Sequence, residues 1–408
     1  MSQQGPILVV SQAKRASFAP ALDEAKLFPL VETSWHDAAH AVEQVQPAAV
    51  IAAATGDKQA DLAALAGLVG ARAPYLPLIA VDPDGELPDN AIPFFQTQGS
   101  PARLLARLNA ALRVRALHAT VMRRLAPPTT YALSDIDAFR HATVLLIGRG
   151  GAYPALSVAL GERTGVVGAL SIEAAAKHLN VRDIDGIVLG EGFSPRVMNA
   201  FLTVLTEDAR FRNLPVMVVS DQTDGTHDLP NLEILSSAPA QIASVVLPLI
   251  RQHAFEASLS RTLRAIDADG LIDARTGLLA PAAFDRDFAT SVYQTLERGG
   301  SLSVARFAFD PTHPRAQFDG ARIISRLMRQ MDFGAAQDDG SVIVVFAGTE
   351  LRNAHLIARR LSSVMRHTSH GKREAGAEPA VTVATLQSND SAKSLLARLH
   401  AEARRAAS

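Results

Sequence analysis

The chain has 408 residues and carries 40 Lys and Arg against 41 Asp and Glu, a formal net charge of −1; so small an excess gives no global attraction to nucleic acid or to an anionic membrane surface. It has no cysteine, which excludes disulfides, Cys-ligated zinc and thiol catalysis and suits a reducing cytosol. With 48% hydrophobic residues it can bury cores in two to four domains, yet no apolar run approaches the roughly 18 residues of a membrane span, and "MSQQGPILVVSQ" lacks a basic segment followed by an apolar leader.

From the N-terminus, short apolar runs alternate with helical-period segments. "PILVVS" (6–11), "AAVIAAA" (48–54), "LPLIAVD" (76–82) and "IPFF" (92–95) have strand character, separated by amphipathic stretches such as "DLAALAGLVGARA". Fully apolar strands between helices predict a parallel sheet covered on both faces. A long helix follows, with Ser100 as its N-cap. The tract "APPTTYALSD" then reads as a linker. The rhythm repeats with strands at 143–148, 166–170, 185–190, 214–221 and 232–237, then the helix "PAQIASVVLPLIRQHAFEASLSRTLRAID". Two tandem five-strand α/β units of flavodoxin-like, doubly wound type are therefore expected at 1–125 and 141–262, joined by a linker at 126–140. From 263 to 408 the order changes to α+β: a helix (281–298), the strand "SLSVARFAFD", a helix ending near Arg329, the strand "SVIVVF", a helix (350–366), the strand "AVTVATL" and a terminal helix.

The third segment concentrates the candidate chemistry. Arg329 and Asp332 stand one helical turn apart, and Asp338, Asp339 and Gly340 open the apolar run after "FGAAQ". On a helix, Arg and Asp three apart share a face. An Arg fork donates to guanine O6 and N7 or clamps a phosphate, and a carboxylate accepts from guanine N1–H and N2–H₂. The alternative reading is a solvated ion pair worth a few tenths of a kcal/mol.

Together these features resemble the receiver–receiver–GGDEF family of diguanylate cyclases, along nearly the whole chain. The stretch "DARTGLLAPAAF" (273–284) is similar to that family's D-x-L-T-G-L-x-N-R-R-x-F. The resemblance implies a GTP-binding turn at Asp338-Asp339-Gly340-Ser341-Val342, where aspartates replace both glycines and Gly340 replaces the magnesium-binding acid. Of the family's other metal-binding acids only Asp310 remains, and the following loop is shorter. No catalytic residue, metal or cofactor is therefore expected, since magnesium-assisted phosphoryl transfer needs carboxylates and a phosphate loop.

The family's R-x-x-D motif stands intact at Arg329 and Asp332, and the resemblance implies further cyclic di-GMP contacts from Arg360, its neighbour Arg359, and Arg298. Receiver positions hold Ser11-Gln12, Ala53, Asp82 and Gln98 in the first unit, and Gly148-Arg149, Gly190 with Glu191, Ser220 and Ala238 in the second. Phosphorylation at the usual site is therefore not expected. What the resemblance implies is a catalytically inactive, cytoplasmic and cell-pole effector. Its ligand is cyclic di-GMP. Its partners are proteins: adaptor or protease components, cell-cycle substrates delivered to a ClpXP-type protease, and self-association through the receiver-like units. Neither nucleic acid nor membrane is a partner. Residual cyclase activity and a scaffold that binds no nucleotide are the alternatives.

Two motifs point elsewhere. "HDAAH" (36–40) has zincin-like spacing, but Asp37 stands for the Glu base and no third ligand is evident. "LLIGRGGAYPAL" mimics a dinucleotide turn, with Tyr153 in place of the third glycine; a glycine-rich first loop of a doubly wound sheet explains it better.

Overall fold

The structure, a computed structural model, describes all residues except 1–4, 14, 27, 57, 97–99, 126–137, 221–226, 311, 313, 367–378 and 408. The first lobe runs β1 (Ile7–Val10), α1 (Ala19–Glu24), β2 (Leu30–Thr33), α2 (Ala38–Val45), β3 (Ala49–Ala53), α3 (Gln59–Gly70), β4 (Leu78–Val81), β5 (Ala91–Phe94) and α4 (Pro101–Arg124). Its five strands are parallel, in the order β2-β1-β3-β4-β5. β1, β3 and β4 are almost wholly buried, as their unbroken apolar runs require. β2 was not among the quoted strand signals; "LVET" is a half-exposed edge strand, too short and polar to stand out. Ser100 caps α4 by accepting from the Arg103 amide.

The middle lobe follows a short 3-10 turn (Ala138–His141), whose residues 138–140 are all that is described of the expected linker. It comprises β6 (Thr143–Ile147), α5 (Tyr153–Gly161), β7 (Gly165–Ala169), α6 (Ile172–Val181), β8 (Gly186–Leu189), α7 (Pro195–Glu207), β9 (Val216–Val218), β10 (Leu232–Ile234) and α8 (Pro239–Asp267). The strand order β10-β9-β8-β6-β7 repeats that of the first lobe. Among the described residues, neither lobe has a helix in the crossover into its last strand. The chain divides into two compact units: the two lobes together (Met1–Ala176 with Ile184–Leu259), and Lys177–Asp183 with Ser260–Ser408. The boundary expected at 262/263 falls inside α8, which is continuous to Asp267.

The C-terminal domain contains α9 (Pro281–Arg298), β11 (Leu302–Ala308), α10 (Pro314–Leu327), β12 (Phe333–Ala336), β13 (Val342–Ala347), α11 (Leu351–Arg366), β14 (Ala380–Thr385) and α12 (Ala392–Ala407). Its sheet is antiparallel, ordered β12-β13-β11-β14. Alternation sorts the strands: Ala305, Phe307, Val342, Val344 and Phe346 pack with α10 and α11 on one face, while Leu302, Val304, Ile343 and Val345 pack with α9 and α12 on the other. Two expectations change here. The amphipathic helix stops at Leu327, before Arg329, and the stretch after Asp332 is a strand, β12, pairing with β13 from Phe333↔Val345 to Ala336↔Val342. No strand was expected here because Phe333-Gly334-Ala335-Ala336 carries too weak an alternation to signal one.

Gly334 lets the two chains of this hairpin approach: a Cβ there would lie 2.6 Å from the Ile343 carbonyl oxygen. Gly334→Ala is expected to destabilise the C-terminal domain by about 1–3 kcal/mol, the usual cost of forcing extra atoms into a packed site, read as a lowered urea midpoint.

Candidate functional site

The Arg329–Asp332 motif forms a tight turn between α10 and β12, closed by the Asp332 amide donating to the Arg329 carbonyl at 3.0 Å. The two side chains therefore do not share a helix face. Arg329 is exposed, and Met331 at the tip of the turn is 63% exposed. Asp332 is only 7% exposed, and its Oδ1 accepts from the Ala347 amide at 3.2 Å, at the end of β13. Burial pushes the Asp332 carboxyl above its ordinary range; the Ala347 amide and the Arg329 charge oppose this without cancelling it. The expected acceptor is thus turned inward and pins the turn to the sheet, while the donor remains in solvent.

Leu302 pairs with Ala347, so the turn, the start of β11 and the end of β13 lie at one end of the sheet. Arg298 closes α9 at this end, just before Gly299 and Gly300, and is exposed. Arg359 and Arg360 lie on α11, flanked by the buried Ala358 and Leu361, and are exposed. They sit about 12 Å along the helix from its first residue, at about 1.5 Å per residue. The structure thus places Arg329 and Arg298 at a common sheet end, on opposite helical layers, and Arg359 and Arg360 on the α10–α11 layer. Among the described residues the guanidinium groups of Arg298, Arg329, Arg359 and Arg360 make no hydrogen bond or salt bridge.

The opposite sheet end carries the Asp338–Gly340 turn, where the Gln337 amide donates to the Ser341 carbonyl at 2.8 Å and Gly340 adopts φ 81°. Asp339 accepts from the Ser341 amide (2.9 Å), the Ser341 hydroxyl (2.6 Å) and Arg306 Nη2 (2.8 Å). Burial resists ionisation of Asp339, but these donors outweigh it and hold its pKa at about 2. Asp310, after β11, accepts from the Thr312 amide and hydroxyl at 2.9 and 2.7 Å. These residues do not fit a magnesium ion: one carboxylate is held by an arginine and a serine, another closes its own loop, and Gly340 offers no side-chain oxygen. Sequence reasoning missed Arg306, and it placed Ser341 in the turn without giving its hydroxyl a role. The signal for Arg306 was a lone arginine inside the apolar run "SLSVARFAFD".

The D-x-x-T-G stretch forms a compact loop in which Asp273 accepts from Thr276 Oγ1 at 2.6 Å and Gly277 adopts φ 75°. This inserts Leu278 into the domain core.

In the lobes, several of the residues that the resemblance sets at receiver positions make structural contacts. Ser11 Oγ donates to the Ala13 carbonyl. Asp82 accepts from the Gln96 amide and side chain at 2.8 and 2.6 Å, tying the ends of β4 and β5. Ala53 ends β3, Ser220 follows β9 and Ala238 precedes α8, whereas Gln98 lies outside the described residues. The glycine-rich turn after β6 packs directly on the loop after β8: the Arg149 amide donates to the Glu191 carbonyl at 3.0 Å, and Gly190 donates to Ile147 at 2.7 Å. A Cβ on Gly150 would lie 2.6 Å from Glu191 Cβ, and Gly192 has φ 100°. These glycines bring two loops together at the switch point of the sheet, where a dinucleotide would otherwise sit. His36 precedes α2, which begins at Ala38, so His36 and His40 do not stand on one helix face.

No model of a protein family matches the chain, and no curated relative matches it. Solved structures similar to part of it are GGDEF domains. One is the coiled coil and GGDEF domain of DgcB from Caulobacter crescentus, solved in complex with c-di-GMP: 18% identity, 35% of this chain, 83% of that one, TM-score 0.30. A sensory box/GGDEF family protein from Caulobacter crescentus CB15 gives 21%, 33%, 96% and 0.29. The FimX GGDEF domain from Pseudomonas aeruginosa gives 19%, 34%, 93% and 0.31.

Asp339 gives this site a pH signature. Its folded pKa lies below its ordinary 3.8, at about 2, so its contribution to stability is full above pH 4 and disappears as pH falls towards 2. In urea unfolding, Asp339→Asn is expected to lower stability at pH 6 and to match the wild-type protein near pH 2.

Proposed function

We propose that the protein is a cyclic di-GMP-binding effector without catalytic activity, in which two receiver-like lobes and a degenerate GGDEF domain form a signalling adaptor. The observation that carries this reading is the contrast between the two ends of one sheet. At one end the motif turn is intact and the exposed Arg329 guanidinium makes no hydrogen bond or salt bridge among the described residues. At the other the Asp338–Gly340 turn is closed by Asp339 against Arg306 and Ser341. Guanine would be taken by the arginine forks of Arg329 and Arg298 or of Arg359 and Arg360, since a free guanidinium can donate to O6 and N7 or to a phosphate. Asp332 would act as a positioning residue that holds Arg329 through the turn.

The adaptor role, with cell-cycle substrates passed to a ClpXP-type protease, extends this proposal from the family resemblance. No helix among the described residues is long and apolar enough to cross a membrane. The burial of Asp332 favours a second reading, a scaffold that binds no nucleotide, because it removes one guanine acceptor from solvent.

Calorimetric titration separates the two. Cyclic di-GMP is expected to bind, and Arg329→Ala to weaken binding by about 10-fold or more, the worth of a bidentate arginine–guanine contact, with an unchanged urea midpoint. No heat at tens of micromolar ligand from the folded protein would establish the scaffold instead. Incubation with GTP and magnesium is expected to yield no cyclic dinucleotide; its formation would refute the proposal.

A further inference from the structure

A parallel sheet needs cover on both faces, and among the described residues each lobe lacks a helix in the crossover into its last strand. The missing cover comes from the other lobe. Leu249 of α8, in the middle lobe, is 1% exposed and belongs to the apolar cluster of the first lobe, with Phe94, Leu104 and Leu108. In return α4 of the first lobe reaches the last strand of the middle lobe. Arg107 is fully buried; its Nε donates to the Pro230 carbonyl at 2.9 Å and its Nη2 to the Leu232 carbonyl at 3.3 Å, while Nη1 bonds Glu233 and, within its own lobe, the Pro93 carbonyl of β5. Glu233 is 2% exposed.

The exchange continues around this pair. Arg113 of α4 pairs with Glu256 of α8 at 2.9 Å. Asp89, in the helix-free crossover of the first lobe, takes both Arg163 and Arg251 of the middle lobe. Phe255 of α8 packs edge-on to Tyr75 and His118.

We propose that the helix-free strip of each lobe is a binding surface whose partner is the final helix of its sibling, so that the two lobes fold as one obligate body and do not reorient in signalling. A guanidinium with no exposure can be parted from Glu233 and the Pro230 and Leu232 carbonyls only by leaving buried polar groups unsatisfied. Separation would also bare the apolar edge of both sheets at once. This inference does not rest on nucleotide binding.

The single tryptophan, Trp35, lies in the first lobe, between β2 and α2, and reports on it alone in the full-length chain. Leu202→Ala removes a fully buried side chain of α7, in the middle lobe and in neither of the clusters that Leu249 and Trp35 join. Its effect on Trp35 fluorescence is followed during urea unfolding, with Ile187→Val in β8 as a milder second variant. Both are expected to lower the Trp35 midpoint, with the larger shift for Leu202→Ala. A Trp35 midpoint equal to wild type in both variants, while hydrogen exchange quickens in β8 and β9, would overturn the proposal. Arg107→Ala is expected to raise amide exchange in β5 and β10 together; exchange raised in one strand alone would also overturn it.

Discussion

Two parallel sheets, neither with a helix among the described residues of the crossover into its last strand, impose the main constraint on this protein. A strand buried on one face and bare on the other exposes apolar surface to water, and each lobe meets this cost by taking the last helix of its neighbour. Arg107 is the polar consequence. A residue placed where two sheet edges and a helix converge must satisfy its donors inside the protein, and it does so on Glu233 and the carbonyls of Pro93, Pro230 and Leu232. The arrangement turns a tandem repeat into one compact unit.

The C-terminal domain shows the same economy of contacts at its two sheet ends. Asp332 and Asp339 are both aspartates at turns flanking β12 and β13, and both accept from backbone amides. Their electrostatics diverge because of their neighbours. Asp332 is enclosed, so burial outweighs its backbone contacts and ionisation is disfavoured. Asp339 is more open and gathers Ser341 and Arg306, so ionisation is favoured. The same residue type therefore anchors one turn quietly and seals the other with charge.

If cyclic di-GMP acts on this chain, the lobe–lobe contact is a poor place for its effect to appear, because a ligand shifts an equilibrium only between states of comparable energy. The mobile choice is better sought around the exposed arginines and Met331, where no packed interface must be broken to admit a partner.

Much of the fold was legible in the sequence. Apolar runs marked β1, β3, β4 and β6 through β8, since a strand buried on both faces is mostly apolar, and the helices Pro281–Arg298 and Pro239–Asp267 were read over the same residues. The candidate arginines were legible as residue types in register with a known motif. Tertiary structure alone decided the rest. The pairing of Phe333-Gly334-Ala335-Ala336 with β13 turned a presumed helix end into a turn and drew Asp332 inward. Arg306 met Asp339 only because β11 lies beside β13. Glu233 and Arg107, 126 residues apart, meet only because two sheets close on them. Local pattern carries periodicity and propensity, but which polar groups share a dry space depends on contacts distant in the chain, and no short stretch encodes those.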